Sequence, residues 1–201
     1  STAAAVVVAG AGVAVAKHGN RSATSKCGSA DVLEALGVNI AATPAQVGRC
    51  IDTIGIGFLF ARTLHGAMKH VAPVRAQLKT QTVFNILGPL TNPADADAQV
   101  MGIFDAALIA PVAHVLALLG TRHAYVVAGA DGLDELTTCD KSFVAEAKEG
   151  AVRTFELVPE QLGIPRTTRD QVLGGEVSEN MAILLDVLQG QPGPRRDIVI
   201  L

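Results

Sequence analysis

K-H-G-N-R-S-A-T-S-K-C-G-S-A-D-V-L-E-A-L-G, residues 17–37, is the stretch that decides how this chain is read. A β-compatible segment, Gly12-Val13-Ala14-Val15-Ala16, runs into it. An apolar-periodic helix leaves it near Ser29 or Asp31, with Val32, Leu33 and Leu36 on one face. The polar residues between therefore form a strand-to-helix loop. Such a loop gathers backbone N–H groups where the helix dipole favours anions. This one adds three cations, Lys17, Arg21 and Lys26, and four hydroxyls, Ser22, Thr24, Ser25 and Ser29. It reads as a phosphate cradle, with Gly19 allowing close backbone approach.

Working outward, the rest of the chain keeps the strand–helix alternation of an α/β domain. Ser1 caps a short helix that Gly10 or Gly12 ends, and the apolar run over residues 3–16 is expected to be buried. That run is shorter than the roughly 20 residues a membrane span needs. Thr43-Pro44-Ala45-Gln46 is a second helix start, with Thr as cap, Pro at the first helical position and Gln three residues on. Val47, Cys50, Ile51 and Ile54 of that helix are expected to face the core. Strands are predicted over 99–104 and 123–128, with an Ala/Leu helix over 107–119 between them, which is the βαβ pattern of a parallel sheet. A further strand is expected over 151–158, a helical turn at 160–164 and a helix over 178–188, before the Gly190–Pro194 linker and an apolar end at 198–201. The predicted fold is α/β, one domain over residues 1–201, with a central, mainly parallel sheet flanked by helices.

Composition agrees with this and excludes other classes. Of 201 residues, 49% are hydrophobic, yet there is one Tyr and no Trp, so the core is built from Ala, Val, Leu and Ile. A net charge of -3 and a pI of about 5.9 argue against general nucleic-acid binding. Cys27, Cys50 and Cys139 are odd in number and lack C-x-x-C spacing, so a disulfide framework or zinc site is not indicated and a reducing cytoplasm is the simpler setting.

The loop at 17–37 resembles the phosphoribosyl-diphosphate loop of the anthranilate phosphoribosyltransferase family. Two later stretches, F-N-I-L-G-P-L-T-N-P at 84–93 and G-A-D-G-L-D-E-L-T at 129–137, resemble the same family in the same order. The resemblance implies transfer of a phosphoribosyl group from phosphoribosyl diphosphate to the amine of anthranilate, with Mg2+ as cofactor. It implies that Thr2, Lys17, His18, Gly19, Asn20, Arg21, Ser22, Ala23, Thr24, Ser25 and Ser29 bind the donor. Asn20, His65, Arg75, Gly88 and Pro89 would line the anthranilate side, the planar guanidinium of Arg75 suiting a carboxylate. Ser1, Asp134 and Glu135 would hold the metal, and Asp131 would not. Gly66 departs from the family, which commonly has Pro there.

The same resemblance implies a homodimer, an N-terminal helical domain and glycine-rich loop ahead of Ser1, and a helix after Leu201. Residues 1–201 alone are accordingly expected to be an incomplete enzyme. Two rivals are a pyrimidine nucleoside phosphorylase-like enzyme, whose phosphate loop reads differently, and a non-catalytic relative that binds nucleic acid. The second calls for a basic surface and a degraded acidic motif, and this chain has neither.

Overall fold

The computed structural model describes residues 1–22, 26–64, 66, 77 and 82–201. In chain order its elements are α1 (Thr2–Gly10), β1 (Val15–Gly19), α2 (Ser29–Ala35), α3 (Pro44–Ile54), β2 (Ile56–Phe60), α4 (Ala61–Leu64), α5 (Phe84–Leu90) and β3 (Ala98–Gly102). A 3-10 turn (Ala106–Leu108) then leads into α6 (Ile109–Leu118), β4 (His123–Gly129), β5 (Ser142–Lys148) and β6 (Ala151–Leu157). A second 3-10 turn (Pro159–Leu162), α7 (Arg169–Val172), α8 (Val177–Leu188) and α9 (Pro194–Ile200) complete the order. The class is α/β, as expected. Contacts along the chain gather it into two compact units, Ser1–Ala94 with Gly174–Gln189, and Asp95–Leu173 with Gly190–Leu201.

In the first unit β1 and β2 pair in parallel, from Val15 opposite Ile56 to Gly19 opposite Phe60. The strand starts three residues later than the sequence suggested and takes in Lys17, His18 and Gly19, so the first three residues of the decisive stretch are strand and not loop. α3 packs on β2. Its capping box is formed as predicted: the Thr43 hydroxyl accepts the Gln46 N–H at 3.3 Å, and the Gln46 carboxamide oxygen accepts the Thr43 N–H at 2.8 Å. Only Val47 of the four expected core residues is fully buried; Cys50 and Ile54 are exposed, because the helix turns just one edge to the strand. The core here joins Ala30, Ile40 and Phe60 with Leu33 and Phe58. The run at 3–16 is not buried as expected: α1 is apolar on every side, packs against β1 and α8 with part of its surface, and leaves Val7 and Val8 exposed.

The second unit is a four-stranded sheet in the order β3-β4-β5-β6. β3 and β4 are parallel and joined through α6, as the βαβ reading requires. β5, which the sequence reading passed over, and β6 add antiparallel. The direction of β6 against β5 follows from connection length, since residues 149 and 150 alone join them, with Glu149 and Gly150 both at positive φ. α6 buries Ile109, Val112, Ala113 and Leu116, an i, i+3, i+4, i+7 stripe, and packs against β4, β5 and β6. Within this sheet Glu146 is nearly inaccessible, and its carboxylate is bonded by Arg153 Nε, by His123 Nε2 at 2.8 Å and by the Tyr125 hydroxyl at 3.0 Å. Tyr125, Glu146 and Arg153 are direct cross-strand neighbours.

Candidate active site

The loop between β1 and α2 is pinched shut at its shoulders. Asn20 lends its backbone carbonyl to the Ala30 N–H at 3.2 Å and to the Ser29 hydroxyl at 3.3 Å. Its side-chain oxygen accepts the Arg21 N–H at 2.8 Å. Asp31, in the first turn of α2, accepts the N–H of Ser22 at 3.1 Å and of Gly28 at 2.9 Å on one carboxylate oxygen. The other oxygen accepts Arg21 Nη1 at 2.9 Å. The two passes of chain lie so close that a Cβ on Gly28 would fall 2.7 Å from the Arg21 carbonyl carbon and 2.8 Å from the Asn20 carbonyl oxygen, so only glycine fits there.

Arg21 was expected as a phosphate ligand, and its guanidinium is already engaged. Beyond Asp31 it reaches Glu34 through Nη1 at 2.8 Å and Nη2 at 2.9 Å, and it lies 6.0 Å from the centre of the Phe60 ring. The bonds to Glu34 and Asp31 raise the Arg21 pKa further above its ordinary value. Asp31 is held below the usual carboxylate range, first by the Ser22 N–H, then by the Gly28 N–H, with Arg21 adding to both against the opposing effect of burial. Sequence reasoning saw Asp31 only as a helix-start residue. The signal was present in its spacing, an acidic side chain three residues after a helix cap at Gly28.

Lys17 and His18 are half-buried in β1, with Lys17 Nζ donating to the His18 carbonyl at 3.1 Å. Asn92, at the end of the second family-like stretch, donates to the Ala16 carbonyl at 3.3 Å and ties that stretch to β1 beside Lys17. Gly88 and Pro89 sit in the last turn of α5, where the Thr91 hydroxyl donates to the carbonyls of Leu87 and Gly88. Ser1 is the N-cap residue of α1, exposed, and Thr2 opens the helix proper. Ala23, Thr24, Ser25, His65 and Arg75 lie outside the described residues.

In the second unit the loop after β4 carries Asp134 and Glu135, both exposed. It is built around Asp131, whose carboxylate accepts the Thr137 hydroxyl at 2.9 Å and the Leu133 N–H at 3.4 Å. The Asp131 carbonyl accepts Arg169 Nη1 at 2.8 Å. Asp131 thus shapes the loop on which Asp134 and Glu135 are exposed. Among the described residues, no three His, Cys, Asp or Glu side chains gather as a metal cluster. A pair of exposed carboxylates suits Mg2+, which takes one or two from a protein and completes its shell with substrate phosphates and water.

The first unit holds a parallel strand pair feeding a pinched loop, and the second an acidic loop at the carboxyl end of β4. The model for the a/b domain of the glycosyl transferase family matches residues 1–201, and the chain belongs to that family. Its relatives narrow the field. Anthranilate phosphoribosyltransferase from Symbiobacterium thermophilum is 57% identical over 201 residues, covering 100% of this chain and 59% of that protein. The crystal structure of the Thermus thermophilus anthranilate phosphoribosyltransferase superposes with a TM-score of 0.92 at 50% identity, covering 100% of this chain and 60% of that one. The Saccharomyces cerevisiae enzyme in complex with PRPP and Mg gives a TM-score of 0.90 at 31% identity, covering 100% and 57%. A second yeast structure is a complex with 4-fluoroanthranilate. The chain therefore spans somewhat over half the length of the relatives it matches.

Proposed function

We propose that the full-length protein transfers a phosphoribosyl group from phosphoribosyl diphosphate to anthranilate. The observation that carries this is the 57% identity, over every residue of the chain, to a protein of that name. The anthranilate nitrogen bonds to the anomeric carbon of the ribose as the bond from that carbon to pyrophosphate oxygen breaks. The nitrogen then loses a proton to water, since the product is an ordinary secondary arylamine. Rate comes from positioning and from stabilising the leaving charge, with no obligatory general base on the chain.

Thr2, Lys17, His18, Gly19, Asn20, the residues 21–25 and Ser29 form the donor side. Asn20, His65, Arg75, Gly88 and Pro89 form the acceptor side, and Ser1, Asp134 and Glu135 hold Mg2+, which when bound neutralises the departing pyrophosphate. The full-length protein works as a cytoplasmic homodimer. No helix among the described residues is long and apolar enough to cross a membrane.

The test follows anthranilate consumption by the purified full-length protein, with phosphoribosyl diphosphate and Mg2+ each supplied or withheld. Turnover only when both are present is expected. Consumption driven instead by ribose 1-phosphate, or none under any condition, would refute the assignment.

A further inference from the structure

We propose that Asp31 is the positioning residue of the donor loop, a carboxylate that fixes the two shoulders on which the phosphate-binding residues stand. This rests on the donor-loop reading above and deepens it. One oxygen of Asp31 joins Ser22, where the chain leaves β1, to Gly28, where it re-enters as α2. The other oxygen takes Arg21, one residue before the first shoulder. A single side chain thereby ties Ser22 to Gly28 across the five residues between them and takes Arg21 as well.

The chemistry explains why an acid stands in a loop that is to receive phosphate. An uncompensated carboxylate would repel the donor, but this one faces two amide N–H groups and a guanidinium, and hydrogen bonds to charged groups are the stronger kind. Arg21 is held in turn by Glu34 and by the ring of Phe60. Arg21 therefore braces the loop through Asp31 as well as standing on its donor side. The energetic consequence is preorganisation of the two shoulders: the cost of fixing Ser22 against Gly28 is met on folding, so donor affinity is gained without a further direct contact.

Asp31→Asn is nearly isosteric and cannot meet all three donors. Either its NH2 group faces the Ser22 and Gly28 amides, or it faces the guanidinium. In the full-length protein we expect the KM for phosphoribosyl diphosphate to rise about 10- to 100-fold, the loss of a charge-assisted bond or two. The KM for anthranilate and kcat at saturating donor should stay within about threefold, because the loss is in binding one substrate and not in the chemical step.

Three results overturn the inference. A donor KM unchanged in Asp31→Asn, with wild-type turnover intact, refutes the positioning role and leaves the donor loop standing. A wild-type protein that neither binds nor turns over phosphoribosyl diphosphate refutes the donor loop and the inference with it. Equal damage to both KM values and to kcat assigns Asp31 to general stability. Should the variant not fold, amide hydrogen exchange on the wild type decides: Ser22 and Gly28 should be protected without ligand, and protection only after donor is added would refute a preformed clamp.

Discussion

Gly102, the last residue of β3, lies with its Cα against the backbone of the acidic pair. An alanine Cβ at that position would fall 2.7 Å from the Asp134 carbonyl carbon and 3.4 Å from the Glu135 amide nitrogen, with the Asp134 carbonyl oxygen closer still. Non-bonded carbons settle at about 3.5–4.0 Å, so the carbon contact alone asks one side to retreat by roughly 1 Å, and the carbonyl oxygen asks for more. β3 is the stiffer side, since Gly102 is in register with Val127 and the Ile103 N–H donates to the Val127 carbonyl at 3.0 Å. The loop gives way, and it carries Asp134 and Glu135 with it. A misplacement of about 1 Å costs on the order of 10²-fold in rate, and the added methyl costs about 1–3 kcal/mol of stability. Full-length Gly102→Ala should therefore remain folded, lose about 10²-fold in kcat, and need more Mg2+ for half-maximal rate. The assay is a Mg2+ titration of anthranilate turnover beside a thermal melt. A folded variant with wild-type kcat and wild-type Mg2+ dependence would refute both the packing argument and the metal role of the pair.

Asp134→Asn combined with Glu135→Gln should abolish Mg2+-dependent turnover with no change in melting temperature, as both side chains are exposed; retained turnover would remove them from the metal site. The Glu146 carboxyl is held down to about 2 by the bond from Arg153, then by those from His123 and Tyr125, against the opposing effect of burial. A depressed folded-state pKa gives stability that is complete above the unfolded value near 4.5 and is lost as pH falls toward 2. Urea midpoints measured from pH 6 down to 2.5 should accordingly fall less steeply for Glu146→Gln than for the wild type, and parallel slopes would contradict the linkage. Thr43→Ala removes the α3 cap and should cost about 1 kcal/mol in urea unfolding, with kcat untouched.

Where the sequence was legible, one local rule had no competitor. The Thr43–Gln46 capping box formed as written, and the β3–α6–β4 crossover followed from two apolar runs around an Ala/Leu helix. β5 escaped because its residues, S-F-V-A-E-A-K, carry two charges and two alanines, and its strand state comes from pairing on both sides with β4 and β6. The two-residue Glu149-Gly150 turn was the available cue. Cys50 and Ile54 were misplaced because helical periodicity gives a stripe, while how much of that stripe is covered depends on how broad a partner it meets. At the site, residue types pointed to the loop, but the partners did not. That Arg21 turns to Asp31 and Glu34 is a tertiary choice between two kinds of anion, and composition alone does not set it.

The mixed directions of the second sheet carry a kinetic consequence. β5 and β6 are joined by residues 149 and 150 alone and β4 reaches β5 through residues 130–141, whereas β3 reaches β4 through the longer stretch 103–122 that includes α6, so the β3–β4 pairing entails the most loop entropy. The meander is then the natural nucleus and β3 the late arrival. The Gly102 shelf under the acidic pair is accordingly among the last features to form, so a chain caught before β3 docks would have its hairpins complete and its acidic loop without a floor. Rate measurements on substitutions in β3 should show this as faster unfolding with folding rates nearly unchanged.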